Sequence, residues 1–347
     1  MGIAYVLSAD DAKIKDVLYY EDYEFLRDIN FYDKSYIEVP KKPNITTEDY
    51  IFCRDGEINF NGICETVENV NGENLHTIRM YQIERLFDRN VILDNEAIVG
   101  TVGIEDFIKA EIEDKFINSD DDFINKGYIT VTASTHNTVA AKVPAPNGIY
   151  NIKTYIGNAK ENYSIFLDFY FSNGALSIDI HKKTQTALSV DTTLTDIIDL
   201  SEIYQVNVLS KLQAIWQVTE SEDPPTLKTY YLLNNRSITE DGEDENRAKG
   251  YVNTIYIEAE TEAELYQQVL NAFRSNSYKH SVEFEVRSGS KILPLSELFV
   301  GRECMIKSKD YGVKNSIITR TDINSKKKTI GLKFGNLQIR LIEKIRS

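Results

Sequence analysis

The sequence predicts an α+β protein that is predominantly antiparallel sheet, and three features carry the prediction. Twenty-one tyrosines and fifteen phenylalanines fall mostly inside segments where apolar and polar residues alternate, the pattern of half-buried strands. Turn signals that tolerate positive φ, Asp55-Gly56, Asn71-Gly72 and Ser172-Asn173-Gly174, stand between such segments as hairpin connections. Only in a few places does the apolar period lengthen to that of a helix.

Taken in order, the first hundred residues read as strands with polar connections. Tyr36 to Val39 alternates before the Pro40 to Pro43 break, Asp49 to Cys53 leads into Asp55-Gly56, and Glu57 to Glu65 with Leu75 to Tyr81 flanks Asn71-Gly72. A small antiparallel barrel or sandwich satisfies such strands. Ile104, Phe107, Ile108 and Ile112 then recur at helical spacing and open a new module. Strands follow at Tyr128 to Ala133 and Val139 to Val143, a Pro144 to Gly148 break, a short helix over Tyr150 to Lys160, and a hairpin of Ser164 to Phe171 with Ala175 to His181. Val206 to Val218 and Leu227 to Leu233 are strands around the acidic loop Glu220 to Pro225, and Thr239 to Asn246 is a solvated loop. Thr261 and Glu264 form a capping box at the start of a second amphipathic helix carrying Leu265, Val269, Leu270 and Phe273. Strands close the chain at Ser281 to Arg287, Glu303 to Ser308, Lys314 to Asp322 and Thr329 to Phe334. The hairpins Ile63 to Met80 and Ile317 to Phe334 share length and apolar rhythm, which points to an internal repeat of a barrel module.

Composition narrows the function. A chain of 347 residues with 42% hydrophobic content buries a sizeable core, and its length predicts two or three domains. No run approaches the roughly 20 apolar residues of a membrane span, and the start lacks a basic segment followed by an apolar one, so secretion and membrane anchoring are disfavoured. A net charge of −15 argues against stable binding of duplex nucleic acid, because phosphate affinity comes mostly from lysine and arginine. Cys53, Cys64 and Cys304 are too few and too scattered for a disulfide framework and read as reduced core thiols.

The search for chemistry returns no catalytic, cofactor-binding or metal-binding residues. His76, His136, His181 and His280 lie far apart without zinc spacing and read as structural side chains. Asp120, Asp121 and Asp122, and likewise Asp241, Glu243 and Asp244, miss the alternate-carboxylate spacing of a calcium loop and read as solvated surface. No phosphate loop, dinucleotide fingerprint or serine nucleophile elbow is present. Trp216 within an apolar run reads as core rather than a sugar platform, and Tyr19, Tyr20 and Tyr23 serve either core packing or partner contact.

Three segments resemble the siphophage tail-associated hub family, related to the baseplate hub of contractile phages. They are Tyr50 to Leu93, with Asn61-Gly62-Ile63 and the close Ile83-Glu84-Arg85-Leu86-Phe87-Asp88-Arg89; Val102 to Asp122, with its Asp-Phe-Ile helix start; and Val282 to Phe334, where Leu298 to Arg302 introduces Met305-Ile306 and a long hairpin. The order of elements is similar over nearly the whole chain. The resemblance implies two related small β-barrels per subunit with an inserted mixed α/β module: a first barrel at 1–100, the insertion at 101–205, the start of the second barrel plus a mixed insertion at 206–280, and the second barrel at 281–347. It further implies a non-enzymatic tail-tip protein made in the host cytoplasm and located in the virion, a homotrimer whose ring continues the tail tube. Implied partners are the distal tail protein ring, the tape-measure protein and tail fibre or spike components, with DNA only in transit and no cofactor. The barrel modules 1–100 and 281–347 are expected to form the ring, with 101–205 outside it and a channel wall mainly of acidic and small polar side chains. Many members of the family continue into a lytic or receptor-binding region, and no such activity is implied for this chain. The alternatives are a phage-associated glycan hydrolase and a carbohydrate-binding adhesin.

Overall fold

The computed structural model describes residues 1–69, 75–92, 103–119, 126–136, 149–205, 209–219, 221, 223–233, 237–274 and 279–336. Strands β1 to β8 are Gly2–Leu7, Ile14–Tyr20, Tyr23–Asp28, Lys34–Val39, Tyr50–Asp55, Ile58–Asn69, His76–Gln82 and Asn90–Ile92. Helix α1, Ile104–Ile112, precedes β9, Ile129–Ala133, and β10, Ile149–Asn151; helix α2, Ile152–Tyr163, precedes the hairpin of β11, Ile165–Ser172, and β12, Ala175–Lys182. Strands β13 to β18 are Leu188–Asp191, Ile197–Gln205, Leu209–Gln217, Thr226–Leu232, Ile238–Thr239 and Tyr251–Glu258. Helix α3, Glu262–Arg274, leads to β19, Lys279–Arg287, β20, Glu303–Ser308, β21, Gly312–Asn324, and β22, Thr329–Asn336. The described residues are therefore mostly antiparallel strand with a few helices, as expected of an α+β chain. Parallel ladders join β9 to β12, β13 to β20 and β15 to β18.

The described residues divide into two compact units, 1–201 with 282–336, and 202–281. The first unit is built on one large sheet in the order β14-β19-β22-β21-β3-β4-β7-β6-β5-β1-β2, with β20 on β21 and β13 on β20. N-terminal and C-terminal strands meet where β3 pairs β21, Leu26 opposite Asp322 and Phe25 opposite Ile323. The path is open, and no ladder among the described residues closes it into a barrel. Its N-terminal part does curl: buried Tyr20 on β2 packs edge-on against Tyr23 and Phe25 of β3, and Phe25 stacks on Phe60 of β6. The outer edge of β2 is covered by the segment after Pro40, where Asn44 donates its backbone N–H to Asp16 at 2.9 Å and its side-chain amide to the Lys15 carbonyl at 3.3 Å. Covering an edge in this way removes a template for unwanted strand pairing.

Helices α1 and α2 and the three-stranded sheet β11-β12-β9 share a core with that sheet: Ile104, Phe107 and Ile108 of α1, Ile156 of α2 and Leu167 of β11 pack in one cluster with Leu7, Phe31 and Phe52. Helix α2 begins two residues later than its sequence pattern predicts because Asn151 caps it, accepting the Thr154 N–H at 3.0 Å. One face of α2 carries Lys153, Gly157 and Lys160. Gly157 lets the helix lie against the Ile29 carbonyl, which a Cβ there would meet at 2.7 Å. Lys153 pairs with Asp88 at 3.0 Å and Lys160 with Glu84 at 3.1 Å, each ammonium also over an aromatic ring, Tyr32 or Phe31. Burial pushes the Asp88 carboxyl up, but hydrogen bonds from Asn151 and Lys153 outweigh it and hold it below the usual carboxylate range.

The second unit is a four-stranded mixed sheet, β17-β16-β15-β18, with α3 packed on one face. Leu265, Val269 and Phe273 of the helix meet Leu212, Ala214, Tyr230 and Ile257 of the sheet. The capping box forms with an altered partner: Thr261 Oγ1 accepts the Glu264 N–H at 3.2 Å, while Glu264 reaches back to the N–H of Glu260 at 2.9 Å.

Candidate functional surface

Period-two alternation in seven successive strands of the large sheet, β19-β22-β21-β3-β4-β7-β6, sorts its side chains into two faces. Val282, Phe284 and Val286, Leu332 and Phe334, Ile323, Phe25, Ile37, Ile78, Met80 and Cys64 turn inward and are buried. The opposite face presents Glu283, Glu285 and Arg287 on β19, Lys333 on β22, Arg320 and Asp322 on β21, Glu24 on β3, Lys34, Tyr36 and Glu38 on β4, Arg79 and Tyr81 on β7, and Glu68 on β6. This face runs across both ends of the chain. Leu26, opposite Asp322, and Ile63, opposite Tyr81, also lie on this side of the sheet and are half-buried.

Opposite charges interleave there. Lys333 pairs with Glu283; Arg320 pairs with Asp33 at 2.5 Å, Lys34 with Glu65 at 2.6 Å and Arg79 with Glu68 at 2.8 Å. At the β21–β22 turn, Lys326 pairs with Asp22 at 3.6 Å, and Lys327 lies 3.5 Å from Asp322 and 3.7 Å from Glu285. Gly331 occupies the row between those two carboxylates, and its missing side chain leaves room beside Asp322 Cβ. Glu65 is pushed up by burial but held lower overall, since Lys34 and Tyr81 both donate to it. The Arg79 hydrogen bond lowers Glu68. Burial is the dominant effect at Asp322 and raises its carboxyl.

The histidines, the acidic clusters and the cysteines are dispersed. His76 stands at the start of β7, His136 hydrogen-bonds Asp106 at 2.8 Å, His181 lies 3.8 Å from Asp168 and 3.7 Å from Asp179, and His280 falls in β19. Among the described residues, no three His, Cys, Asp or Glu side chains form a group that could hold a metal ion. Asp241 and Asp244 cap local turns, accepting the N–H of Glu243 at 2.9 Å and of Asn246 at 2.8 Å. Asp120 to Asp122, the strand expected at Val139 to Val143, the Pro144 to Gly148 break and the Asn71-Gly72 turn lie outside the described residues. Trp216 donates to the Ala259 carbonyl at 2.9 Å, and Lys228 lies over its ring. The tyrosine cluster divides: Tyr20 and Tyr23 are core, whereas Tyr19 is half exposed. All three cysteines are free and buried, and burial pushes the Cys64 and Cys304 thiols up to about 12.

Sequence reasoning missed the polar face. Its signal was present, because Lys, Arg, Glu and Asp alternate with apolar residues in each strand, but neighbours such as Asn324 and Glu24, hydrogen-bonded at 3.0 Å, are separated by 300 positions. Among the described residues, no helix is long and apolar enough to cross a membrane.

The large sheet is thus open, with one apolar face and one face on which opposite charges pair. The sequence matches no protein-family profile and no curated protein. Solved structures with the same fold do exist. A tail protein from Neisseria meningitidis MC58 aligns at 12% identity with a TM-score of 0.56, covering 98% of each chain. The 43 kDa tail protein of prophage MuSo2 from Shewanella oneidensis aligns at 12% identity and TM-score 0.53, covering 96% of this chain and 97% of that one. The prophage tail protein gp18 from Listeria monocytogenes EGD-e aligns at 10% identity and TM-score 0.50, covering 99% and 97%. The chain thus has the fold of phage and prophage tail proteins, the fold that its order of elements resembles.

Proposed function

We propose that the chain is a structural tail-tip hub of a phage or prophage, without catalytic activity, that assembles as a homotrimer, continues the tail tube as a ring and gates the passage of DNA. The observation that carries this reading is end-to-end likeness: the alignment with the Neisseria tail protein takes in 98% of both chains, insertions included. The layout adds support. Two long hairpins of similar rhythm lie in one sheet on either side of β3 and β4, so each subunit offers two like elements and three subunits would offer six. In this reading residues 1–100 and 281–347 form the ring as two barrel modules, 101–205 lies outside it, and 206–280 is a further insertion. Its partners are the distal tail protein ring, the tape-measure protein and fibre or spike components, its place is the virion, and DNA passes without being held. A sugar platform at Trp216 has weaker footing, because its indole N–H is already bonded internally and Lys228 lies over the ring.

Native mass spectrometry of the purified full chain tests the proposal. The expected species has three times the chain mass of 39.7 kDa, and its negative-stain image is a ring with threefold symmetry. A monomer or dimer at working concentrations would remove the ring.

A further inference from the structure

We infer that strand β18 is a docking edge for a second copy of this chain, the two copies pairing β18 against β18, antiparallel, about a twofold axis. β18 is the outermost strand of the second unit's sheet, paired with β15 alone, and its eight residues include neither proline nor lysine. Two other edges are protected: β17, at the far side of the same sheet, is two residues long, and β2 lies under the segment after Pro40. Three hydrogen bonds show which residues of β18 turn their backbone outward. The Tyr251 carbonyl is on the β15 side and accepts Ser210 Oγ at 3.2 Å. The Thr254 N–H goes instead to the adjacent Asn253 side chain at 2.9 Å, and the Glu258 carbonyl accepts Gln268 Nε2 of α3 at 3.0 Å. Alternation then turns the backbone of Val252 and Tyr256 outward too, and among the described residues no strand pairs with that edge.

Side chains and charges both favour a copy of the same strand. Val252 and Tyr256 are more than half exposed and lie on the sheet face away from α3, where Tyr256 shares a row with Ile215 and with Leu227, itself 61% exposed. Centring the twofold on Thr254 sets each Val252 opposite the other copy's Tyr256. That is a β-branched and aromatic cross-strand pair, and it carries the apolar row into the second copy. The charges are self-complementary in the same sense, since Lys249 stands just before β18, Glu258 ends it and Glu260 follows, all three exposed. Antiparallel pairing brings the basic start of each strand to the acidic end of the other, whereas parallel pairing would set like charges side by side. A contact of two strands is small, so the association is weak and depends on concentration. It does not rest on the ring, because it takes a trimer to a hexamer and a monomer to a dimer.

Sedimentation velocity and native mass spectrometry of the full chain over about 1–200 µM test the pairing. The unsubstituted chain should double in mass as its concentration rises, and Tyr256→Lys, at an exposed position, should weaken that doubling about tenfold or more. Lys249→Glu should weaken it severalfold at low salt. Adding Glu258→Lys and Glu260→Lys to Lys249→Glu should restore it, a rescue that requires the strand to meet its own copy in the antiparallel sense. The native cysteines are buried, so a short bis-maleimide should join two chains through Thr254→Cys. A mass that stays constant over the range would overturn the inference and leave β18 to a strand of another protein. Doubling untouched by Tyr256→Lys, or no rescue in the triple variant, would overturn it as well. If Tyr256→Lys lowers the thermal transition, the charge variants decide. The dilute species judges the ring separately: a trimer that never doubles removes the pairing alone, and a monomer that doubles removes the ring alone.

Discussion

The hairpins β6–β7 and β21–β22 share length, apolar rhythm and a bulge, and the two bulges serve different purposes. In β6 the register shifts between Cys64 and Thr66, so the extra residue is Glu65, turned outward to take hydrogen bonds from Lys34 and Tyr81. In β21 it shifts between Ile318 and Arg320, and the extra residue, Thr319, stays with the backbone: its carbonyl accepts the Ile29 N–H at 2.9 Å, and its hydroxyl donates to the Lys333 carbonyl at 3.2 Å. One device displaces a carboxylate onto the polar face, and the other ties the C-terminal hairpin to the chain just beyond β3. An extra residue leaves a local gap in a ladder, and what fills the gap depends on its neighbours across the sheet.

The largest test of this comparison asks whether the hairpins belong to one cooperative sheet. Phe334→Ala removes a fully buried ring stacked on Phe284 and should cost about 3–5 kcal/mol, and Met80→Ala, equally buried, about 2–5 kcal/mol. Because β3 joins the two hairpins, both substitutions should lower a single denaturant transition of the first unit. Two transitions, each sensitive to only one substitution, would show that the hairpins fold separately.

A smaller difference is expected at the glycines. A Cβ on Gly62 of β6 would meet the Tyr81 backbone carbonyl at 2.8 Å, whereas on Gly331 of β22 it would meet Asp322 Cβ at 3.1 Å. Gly62→Ala should therefore destabilise by about 1–3 kcal/mol. Gly331→Ala should stay within about 1 kcal/mol, because a 3.1 Å contact needs only a slight shift, whereas 2.8 Å to a carbonyl of the paired strand forces the backbone apart. Equal losses in urea melts would contradict the distinction.

The smallest effect is one of sign with pH. Glu65 has its folded pKa depressed, so its contribution is present above the unfolded value and is lost as pH falls through the folded one. Glu65→Gln should cost about 1 kcal/mol or less at neutral pH and nothing in acid. Asp322 has its folded pKa raised by burial, so what it contributes in acid is lost as pH rises through the folded value. Asp322→Asn should leave neutral-pH stability unchanged or higher. Unfolding curves at neutral and acidic pH compare the two, and a clear loss for Asp322→Asn at neutral pH would mean that Lys327 outweighs burial.

Much of the local structure was legible. Glu303–Ser308 is a strand with the boundaries its alternation predicts, the Ser172-Asn173-Gly174 turn joins β11 to β12, and α1 begins at Ile104 as its spacing indicates. Less legible were β1, β2, β3, β14 and β18. In two of them the alternation is broken: β18 is exposed over its first four residues, and Asp199 within β14 has a φ of 52°. The two lysines that seat α2 were also missed, since a lysine in a helix reads as solvated until its carboxylate and aromatic partners are in place.

The sequence by itself determined the α+β class, most hairpins, the starts of α1 and α3 and the absence of recognisable catalytic spacing, because alternation, capping and turn chemistry act within a few residues of themselves. Only the tertiary structure decided that β3 would pair with β21, that β9, β13 and β18 would enter parallel ladders, and that the charges of seven strands would share one face in ion-paired rows. Those outcomes depend on contacts between residues up to about three hundred positions apart. Alternation specifies which side of a strand is polar, but it carries no information about which other strand lies beside it.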